Sequence, residues 1–327
     1  MEAQAAAHSP HVVLLYYRYV RIEDPDAFAR DHRAFCASLG LRGRIIVAEE
    51  GINGTVAGAP DATGSYRETL AKDPRFAGMP FKISRGTADT FPGLSIKVRP
   101  EIVTLGAALP FDPEIDPAAH LSPFEWKRLA ETDPDAVIFD VRNDYESAVG
   151  RFRGAITPQI KNFRDLPAVL SDYGHLKDRK ILMYCTGGIR CEKASSLFKR
   201  QGFREVYQLD GGIMNYEKEI CDRDDLWEGD CFVFDNRVVL PMATARGKAP
   251  AGRCAHSGLP TSHYVNCIHN PCNRLFLVAE SIVEDSPDHR LCPECLRKGL
   301  TSETADNKSR SLAPAMENPP AANSTTR

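Results

Sequence analysis

The sequence has little that would direct the protein into a membrane or out of the cell. No run of about 18 consecutive apolar residues occurs, so no membrane-spanning helix is expected. The N-terminus lacks the basic start and the apolar run of a signal peptide. The net charge of the 327 residues is only −3, which gives no strong overall attraction to nucleic acid or to a lipid surface. We therefore expect a cytoplasmic protein without a membrane partner.

Patterns for common redox cofactors are also missing. No glycine-rich dinucleotide fingerprint is visible, so no flavin or nicotinamide is expected. The spacing shows no set of two histidines and one carboxylate for iron. The chain does contain ten cysteines, and in a reducing compartment these indicate thiol chemistry or metal binding rather than disulfides.

The most informative stretch, residues 180–191, predicts a buried strand that ends at Cys185, then a short loop and a helix from about residue 192 to 201. Loop N–H groups and the start of a helix stabilise negative charge, so a cysteine there is a candidate thiolate nucleophile. Glycines let the loop curl around the sulfur, and arginine adds a fixed positive charge. The candidate loop residues are Thr186, Gly187, Gly188, Ile189 and Arg190. The alternative is a cysteine that merely packs in the core.

Strands and helices alternate between residues 122 and 222, which predicts a parallel α/β sheet. Cys185 would then lie at the carboxyl end of a strand, where such sheets bind ligands. Asp140 and Arg142 follow another predicted strand, and we expect structural roles for both, with Arg142 shaping the pocket. Asp210 is expected to cap the turn after the last strand of this sheet.

The first part of the chain has a different pattern. The order β-α-β-β-α-β over residues 11–105 predicts a ferredoxin-like α+β sandwich, and the proline-rich residues 106–121 predict a linker. Four basic residues of this unit could form a local basic face, but an ordinary solvated surface would explain them equally well. The candidates for such a face are Arg42, Arg44, Lys97 and Arg99. At the other end of the chain, residues 301–327 are poor in large apolar side chains and predict a disordered tail.

Two close cysteine pairs occur in a small Cys-rich module that we place at residues 229–300. Cys267-x4-Cys272 and Cys292-x2-Cys295 stand 19 residues apart and bracket a predicted apolar hairpin at residues 275–278. This spacing fits a structural zinc site with four thiolate ligands, which would stabilise a segment too small to fold alone. Free or packed thiols are the alternative. Other side chains that could replace one ligand are Cys254, His256, His263 and His269.

Four motifs in order resemble a rhodanese domain, which we place at residues 122–228. They are Asp140-Val141-Arg142 with Glu146, the turn Arg153-Gly154-Ala155-Ile156, the loop Cys185-Thr-Gly-Gly-Ile-Arg190, and Asp210-Gly211-Gly212. The whole chain is similar to a narrower group, the rhodanese-containing tRNA uridine hydroxylases. The matching stretches are Glu50-Gly-Ile-Asn-Gly-Thr55, residues 94–103, residues 185–194, Tyr264-Val-Asn-Cys267 and Cys272-Asn-Arg-Leu-Phe276.

This resemblance implies an oxidoreductase that converts the wobble uridine of tRNA (position 34) to 5-hydroxyuridine with molecular oxygen as co-substrate. Cys185 would be essential and would pass through a persulfide, with its charge stabilised by Arg190 and the loop amides. The family has an N-terminal ferredoxin-like (acylphosphatase-like) domain. This domain and the Cys-rich module would hold the anticodon arm through phosphate contacts and base stacking.

The main alternative is a sulfurtransferase that carries persulfide sulfur on Cys185, supplied by a sulfur donor. Cys191 could resolve the persulfide as a disulfide, or it could simply pack in the first turn of the helix. A relative of the tyrosine phosphatases is disfavoured because those enzymes need Cys-x5-Arg. Here Arg190 completes Cys-x4-Arg, a loop better sized for one sulfur atom. The intact cysteine loop also argues against a binding module without catalysis.

Overall fold

The computed structural model describes residues 10–106, 112, 116–220, 226–243, 247 and 249–306. Its N-terminal unit runs through β1 His11–Tyr19, α1 Pro25–Ser38, β2 Arg42–Ala48, β3 Gly51–Gly58, α2 Pro60–Lys72, β4 Lys82–Gly86 and β5 Leu94–Val98. The local sequence explains the start of α1, because the Asp24 carboxylate accepts a hydrogen bond from the Ala27 N–H at 2.8 Å and Pro25 occupies the first turn.

The N-terminal sheet has the strand order β4-β1-β3-β2-β5. The antiparallel strands β4-β1-β3-β2 form the ferredoxin-like arrangement that the sequence predicts, and β5 extends it by pairing in parallel with β2. The sequence Glu-Gly-Ile-Asn-Gly-Thr at residues 50–55 predicts a turn, and the structure shows that this prediction is wrong. The chain turns at Glu49 and Glu50, and β3 begins at once with Gly51.

The central unit carries a parallel sheet with the order β6-β10-β9-β7, which confirms the predicted parallel α/β architecture. Ser122 and Glu125 form a capping box at the start of the first helix. The elements are β6 Ala119–Leu121, α3 Pro123–Thr132, β7 Ala136–Asp140, α4 Asp144–Val149, β8 Gly150–Phe152, a 3-10 turn at Phe163–Asp165, α5 Leu166–Val169, a 3-10 segment at Leu170–Leu176, β9 Lys180–Tyr184, α6 Ile189–Arg200, β10 Glu205–Leu209 and α7 Gly212–Glu219.

Three details of this unit differ from the predictions. Strand β6 lies inside the predicted linker 106–121, most of whose other residues lie outside the described part of the chain. Helix α6 begins at Ile189, so it starts inside the cysteine loop rather than after it. The residue at the N-cap of α7 is Gly211, and among the described residues the carboxylate of Asp210 caps no turn.

The C-terminal unit consists of short elements. They are β11 Trp227–Gly229, β12 Cys231–Phe232, β13 Val239–Leu240, β14 Tyr264–Asn266, β15 Leu275–Leu277, α8 Glu280–Asp285, a 3-10 turn at Pro287–Arg290 and α9 Pro293–Arg297. Strand β11 pairs with β8 and so joins this unit to the central one. Strands β12 and β13 pair as an antiparallel hairpin, as the turn Asp235-Asn236 between two apolar runs predicts.

The hairpin β14–β15 corrects the expected layout of the Cys-rich segment. Because β15 pairs with a strand that precedes Cys267, the first cysteine pair lies in the hairpin turn instead of flanking a complete hairpin. The predicted start of the disordered tail, residue 301, also lies too early in the sequence. Ala305 is buried, and the Ser302 N–H donates to the Asp288 carboxylate at 2.6 Å, whereas residues 307–327 lie outside the described part of the chain.

The loop of hairpin β12–β13 reaches across to the N-terminal unit. Asn236 donates from its side chain to the Asp89 carbonyl oxygen at 2.7 Å. Arg237 donates to the Ser84 hydroxyl at 2.9 Å and to the Arg85 carbonyl oxygen at 2.8 Å. The three units therefore enclose a common space. None of the helices in the described ranges is long and apolar enough to cross a membrane.

Candidate active site

Cys185 follows directly after β9 and is fully buried. Its Sγ accepts a hydrogen bond from the Gly188 N–H at 3.1 Å. Gly188 has a φ of +103°, and a Cβ there would lie 2.8 Å from the Tyr17 hydroxyl, so only glycine suits this position. The structure thus brings the predicted loop around the sulfur, with a backbone N–H aimed at it.

The surroundings of Cys185 favour the thiolate. Burial in itself raises the pKa of this thiol, but the hydrogen bond from the Cys191 thiol and the positive charge of Arg190 act in the opposite direction. The N–H groups of Gly188 and Arg190 add to this effect, and the pKa falls to about 5. Burial and the neighbouring thiolate raise the pKa of Cys191 well above its usual range. At neutral pH the pair is therefore one thiolate and one thiol.

We predict that the ultraviolet thiolate absorbance of the wild-type protein, minus that of Cys185→Ser, titrates with a midpoint near pH 5. Arg190→Met should raise this midpoint by about 1 unit or more because it removes the nearby positive charge, whereas Arg190→Lys should raise it less. Since the pKa is lower in the folded than in the unfolded state, the stability contributed by Cys185 is lost as the pH falls toward 5. A wild-type midpoint near 8.5, the ordinary thiol value, would contradict this description.

Arg190 is fixed by a carboxylate from another element. Its Nη2 donates to Glu146 Oε2 at 2.8 Å and its Nη1 donates to Glu146 Oε1, so the pair is bidentate; Glu146 is fully buried and Arg190 is 7 % exposed. Glu146 lies on α4, which follows strand β7 and the short segment that carries Arg142. The acid holds the guanidinium in the loop while leaving its charge close to the sulfur.

Asp140 and Arg142 have the structural role predicted for them. The Arg142 Nη2 donates to Asp140 Oδ2 at 2.6 Å, and the same carboxylate accepts from the hydroxyls of Tyr184 and Ser147. Both charged residues are fully buried, and neither lines the cleft described below. Arg142 therefore does not line the cleft itself; Arg190 lines it, and the buried Glu146 holds Arg190 in place.

The N-terminal unit covers the cysteine loop with aromatic side chains from β1. The Tyr17 hydroxyl donates to Glu192 Oε1 at 2.9 Å, and the Tyr19 hydroxyl donates to the Ile189 carbonyl oxygen at 3.4 Å. Glu192 also bonds His120 at 3.1 Å and Gln208 at 3.0 Å, so it ties the loop helix to two strands of the central sheet. These contacts join residues that are 175 and 170 positions apart in the sequence, and hydrophobic periodicity does not reveal such pairs.

A buried lysine makes a second link between the units. Lys193 on α6 is 4 % exposed, and its Nζ donates to Glu50 Oε1 at 2.8 Å and to Glu101 Oε2 at 2.7 Å. Glu50 and Glu101 stand in two of the stretches that carry the family resemblance, and Lys193 stands in a third. The three stretches thus meet in one ion cluster, which fixes the N-terminal unit on the helix that follows the cysteine loop.

A cleft of about 2350 Å³ opens between the three units, and Cys185 lies in its wall. Ten basic side chains line it, against three acidic ones. Six of the basic ones form no ion pair among the described residues: Arg44, Lys97, Arg99, Lys161, Arg164 and Arg253. Three members of the predicted basic face, Arg44, Lys97 and Arg99, therefore line the cleft, whereas Arg42 does not. The cleft has the charge expected for a polyanion.

The four cysteines predicted as metal ligands come together in the C-terminal unit. The sulfur atoms of Cys267, Cys272, Cys292 and Cys295 all lie within 4.8 Å of one another. The distance between the sulfurs of Cys272 and Cys292 is 3.6 Å. Tetrahedral Zn²⁺ with Zn–S bonds of about 2.3 Å places its sulfurs about 3.8 Å apart, so this set fits a zinc ion. The alternatives Cys254, His256, His263 and His269 are not part of the set, within the ranges described.

Comparisons with known proteins agree with this architecture. Family models match an acylphosphatase-like domain of the UPF0176 type over residues 11–102, a rhodanese-like domain over 124–219 and a rhodanase C-terminal region over 228–296. A Bacillus pumilus protein is 44% identical over 292 residues, which is 89% of this chain and 88% of that protein. Its printed name is tRNA uridine(34) hydroxylase. The chain belongs to the tRNA uridine(34) hydroxylase family.

Other members of the family show similar levels of identity. A tRNA uridine(34) hydroxylase from Shouchella clausii is 45% identical over 82% of this chain and 83% of its own length. One from Listeria monocytogenes is 44% identical over 83% of this chain and 85% of its own. The resemblance inferred from the motifs is thereby confirmed. Because these matches extend through all three units, the cleft lies within the shared part of the tRNA uridine(34) hydroxylases.

Proposed function

We propose that this protein hydroxylates uridine 34 of tRNA to 5-hydroxyuridine, with Cys185 as the reacting thiolate. The observation that carries the proposal is a thiolate of low pKa in the wall of a large cationic cleft. Relatives that share 42–45% of their residues with this chain are named for the same reaction. The reaction takes place on tRNA, so we assign the protein to the cytoplasm.

The anticodon arm is complementary to the cleft in charge. An RNA hairpin presents a dense row of phosphates, and the unpaired arginines and lysines of the cleft can neutralise several of them. Uridine 34 would have to leave the stack of the anticodon loop to approach the sulfur. We assign residues 11–105 and 229–300 to the binding of the arm and residues 122–228 to the chemistry.

The two cysteines of the loop can supply the electrons for hydroxylation. One oxygen atom of O₂ enters the C–H bond of uridine, and the other must leave as water, which requires two electrons and two protons. The oxidation of the Cys185 thiolate and the Cys191 thiol to one disulfide provides both electrons and one proton, and solvent supplies the second proton. Cys191 donates its hydrogen bond to Cys185, so the two sulfurs are neighbours. An added thiol would reduce the disulfide before the next turnover.

The sulfurtransferase alternative uses the same loop. A persulfide on Cys185 would be stabilised by the same amides and by Arg190, and a sulfur donor would be an additional partner. The cationic cleft favours the tRNA reaction because a small donor such as thiosulfate needs only the loop.

The cysteine cluster is proposed to hold one structural zinc ion through Cys267, Cys272, Cys292 and Cys295. Zinc here would fix the β14–β15 turn and α9. The turn contains Arg274, and residues of both elements line one edge of the cleft. Cys292→Ser should lower the metal content from one zinc per chain to below about one half and loosen the module, because zinc supplies much of the folding energy of such small units.

The control for this prediction is Cys254→Ser, which alters a cysteine of the same hydrophobic cluster outside the ligand set. Metal analysis and protease resistance of the module are the readouts. Full zinc content in purified Cys292→Ser protein would refute the assignment.

The test of the proposed function is nucleoside mass spectrometry of tRNA from a strain that lacks this gene. Restoring the gene should restore 5-hydroxyuridine at position 34, and a gene carrying Cys185→Ser should not. Unchanged 5-hydroxyuridine together with altered thionucleosides would favour the sulfurtransferase instead.

A further inference from the structure

One large apolar side chain in the cleft remains partly exposed to solvent. Among the described residues, four large hydrophobic side chains are exposed, and of these only Phe234 lines the cleft; the others are Ile83, Phe124 and Leu259. Phe234 is 39 % exposed. Phe234 shares the cleft with other apolar side chains, among them Leu15, Met214 and Val233, and an apolar surface of this kind inside a cleft indicates a site that a ligand covers.

One ring contact and several hydrogen bonds of the surrounding backbone turn fix the position of Phe234. The Phe232 ring packs against it edge to face, with a centroid distance of 5.3 Å. Arg44 donates to the Phe234 carbonyl oxygen at 3.5 Å, and the adjacent residues Asn236 and Arg237 bind the N-terminal unit. Phe234 therefore lies on a turn of the C-terminal unit that hydrogen bonds hold against the N-terminal unit.

The ring also adjoins the reacting loop. The Arg190 guanidinium lies 5.8 Å from the centroid of the Phe234 ring. The charge of Arg190 also favours the Cys185 thiolate. The Arg190 side chain therefore connects the Phe234 ring to the reacting loop. A planar group resting on Phe234 would be held beside the reactive sulfur.

We propose that Phe234 is the stacking platform for the target uracil. The inference rests on the proposed function, because it assumes that the ligand of the cleft is an RNA whose wobble base has left the stack. Proteins that bind unpaired bases commonly hold them against aromatic rings, since every base has a π-face. Phe234 is thus a positioning residue: it holds the base, while Cys185 performs the chemistry.

The test compares two synthetic anticodon stem-loop RNAs, one with uridine and one with an abasic site at the wobble position. The full-length protein is used without oxygen, so that binding is measured without turnover. Phe234→Leu should bind the uridine RNA roughly 5- to 100-fold more weakly than wild type, because stacking is lost while an apolar side chain is kept. Binding of the abasic RNA should change by less than about 2-fold.

Two matched variants complete the design. Phe234→Tyr should restore binding of the uridine RNA, because it restores the ring. Phe124→Leu changes an exposed phenylalanine on α3, outside the cleft, and should leave binding of both RNAs unchanged. With oxygen present, Phe234→Leu should raise KM much more than it lowers kcat. In the wild-type complex, stacking on Phe234 should quench the fluorescence of a 2-aminopurine placed at the wobble position. Phe234→Leu should lose this quenching, whereas Phe234→Tyr and Phe124→Leu should keep it.

The possible outcomes separate this inference from the proposed function. Equal weakening for both RNAs, or none, in a protein that still forms 5-hydroxyuridine would overturn the stacking role alone. A wild-type protein that forms no 5-hydroxyuridine from tRNA would overturn the proposed function, and the stacking role with it.

Discussion

Cys185→Ser should abolish the formation of 5-hydroxyuridine, with a loss of at least about 10³-fold in single-turnover rate. The serine hydroxyl has no appreciable anionic form at neutral pH, whereas the loop lowers the pKa of the cysteine to about 5. The fold should persist, because serine occupies nearly the same volume and can accept the bond from the Gly188 N–H. Mass spectrometry of the tRNA product and circular dichroism of the protein measure the two effects.

Cys191→Ser is the matched comparison, since it changes the neighbouring sulfur and leaves Cys185 in place. It should permit binding of tRNA, but it removes the partner with which Cys185 would form a disulfide. Its single-turnover yield without added thiol should therefore fall, and an external thiol should restore part of it. Wild-type activity of Cys185→Ser would refute the role of the thiolate, and a full yield from Cys191→Ser without thiol would refute the dithiol balance.

Lys193→Met should have the largest effect on stability. It leaves the carboxylates of Glu50 and Glu101 facing each other at the interface without their shared cation. Breaking a buried ion pair costs about 3–5 kcal/mol, and we expect the lower end because the two acids are partly exposed. The N-terminal unit should separate more readily from the cysteine loop. Hydrogen–deuterium exchange over β1 and the start of α6, together with calorimetry, would record the change.

Lys199→Met on the same helix provides the control, because this lysine is exposed and should contribute less than about 0.5 kcal/mol. Adding Glu50→Gln and Glu101→Gln to Lys193→Met removes the uncompensated charges and should recover part of the lost stability. If Lys193→Met unfolds like wild type, the ion cluster does not hold the units together.

The parts of the site that the sequence predicts are those whose contacts are local. The thiolate of Cys185 depends on Gly188, Arg190 and Cys191, all within six residues, so the loop pattern and its chemistry can be inferred together. The strand and helix order of the N-terminal and central units follows from hydrophobic periodicity and from caps such as Asp24 and is confirmed by the structure.

The parts that were missed depend on residues distant in the sequence. Glu146 lies 44 residues before its partner Arg190, and Glu50 lies 143 residues before Lys193. No periodicity encodes such pairs, because either member alone looks like a solvated charge. The turn wrongly expected at residues 50–55 has another cause. A Cβ on Gly54 would lie 2.4 Å from the Tyr16 hydroxyl, so this glycine marks a close approach within a strand.

The central claim, hydroxylation at the Cys185 loop with molecular oxygen, is tested most directly by a single turnover of purified protein on unmodified tRNA under heavy-isotope dioxygen. The account predicts 5-hydroxyuridine at position 34 that carries one heavy oxygen atom, formed by the wild-type protein and not by Cys185→Ser. A product whose oxygen comes from water, or a tRNA that gains sulfur and no oxygen, would contradict it.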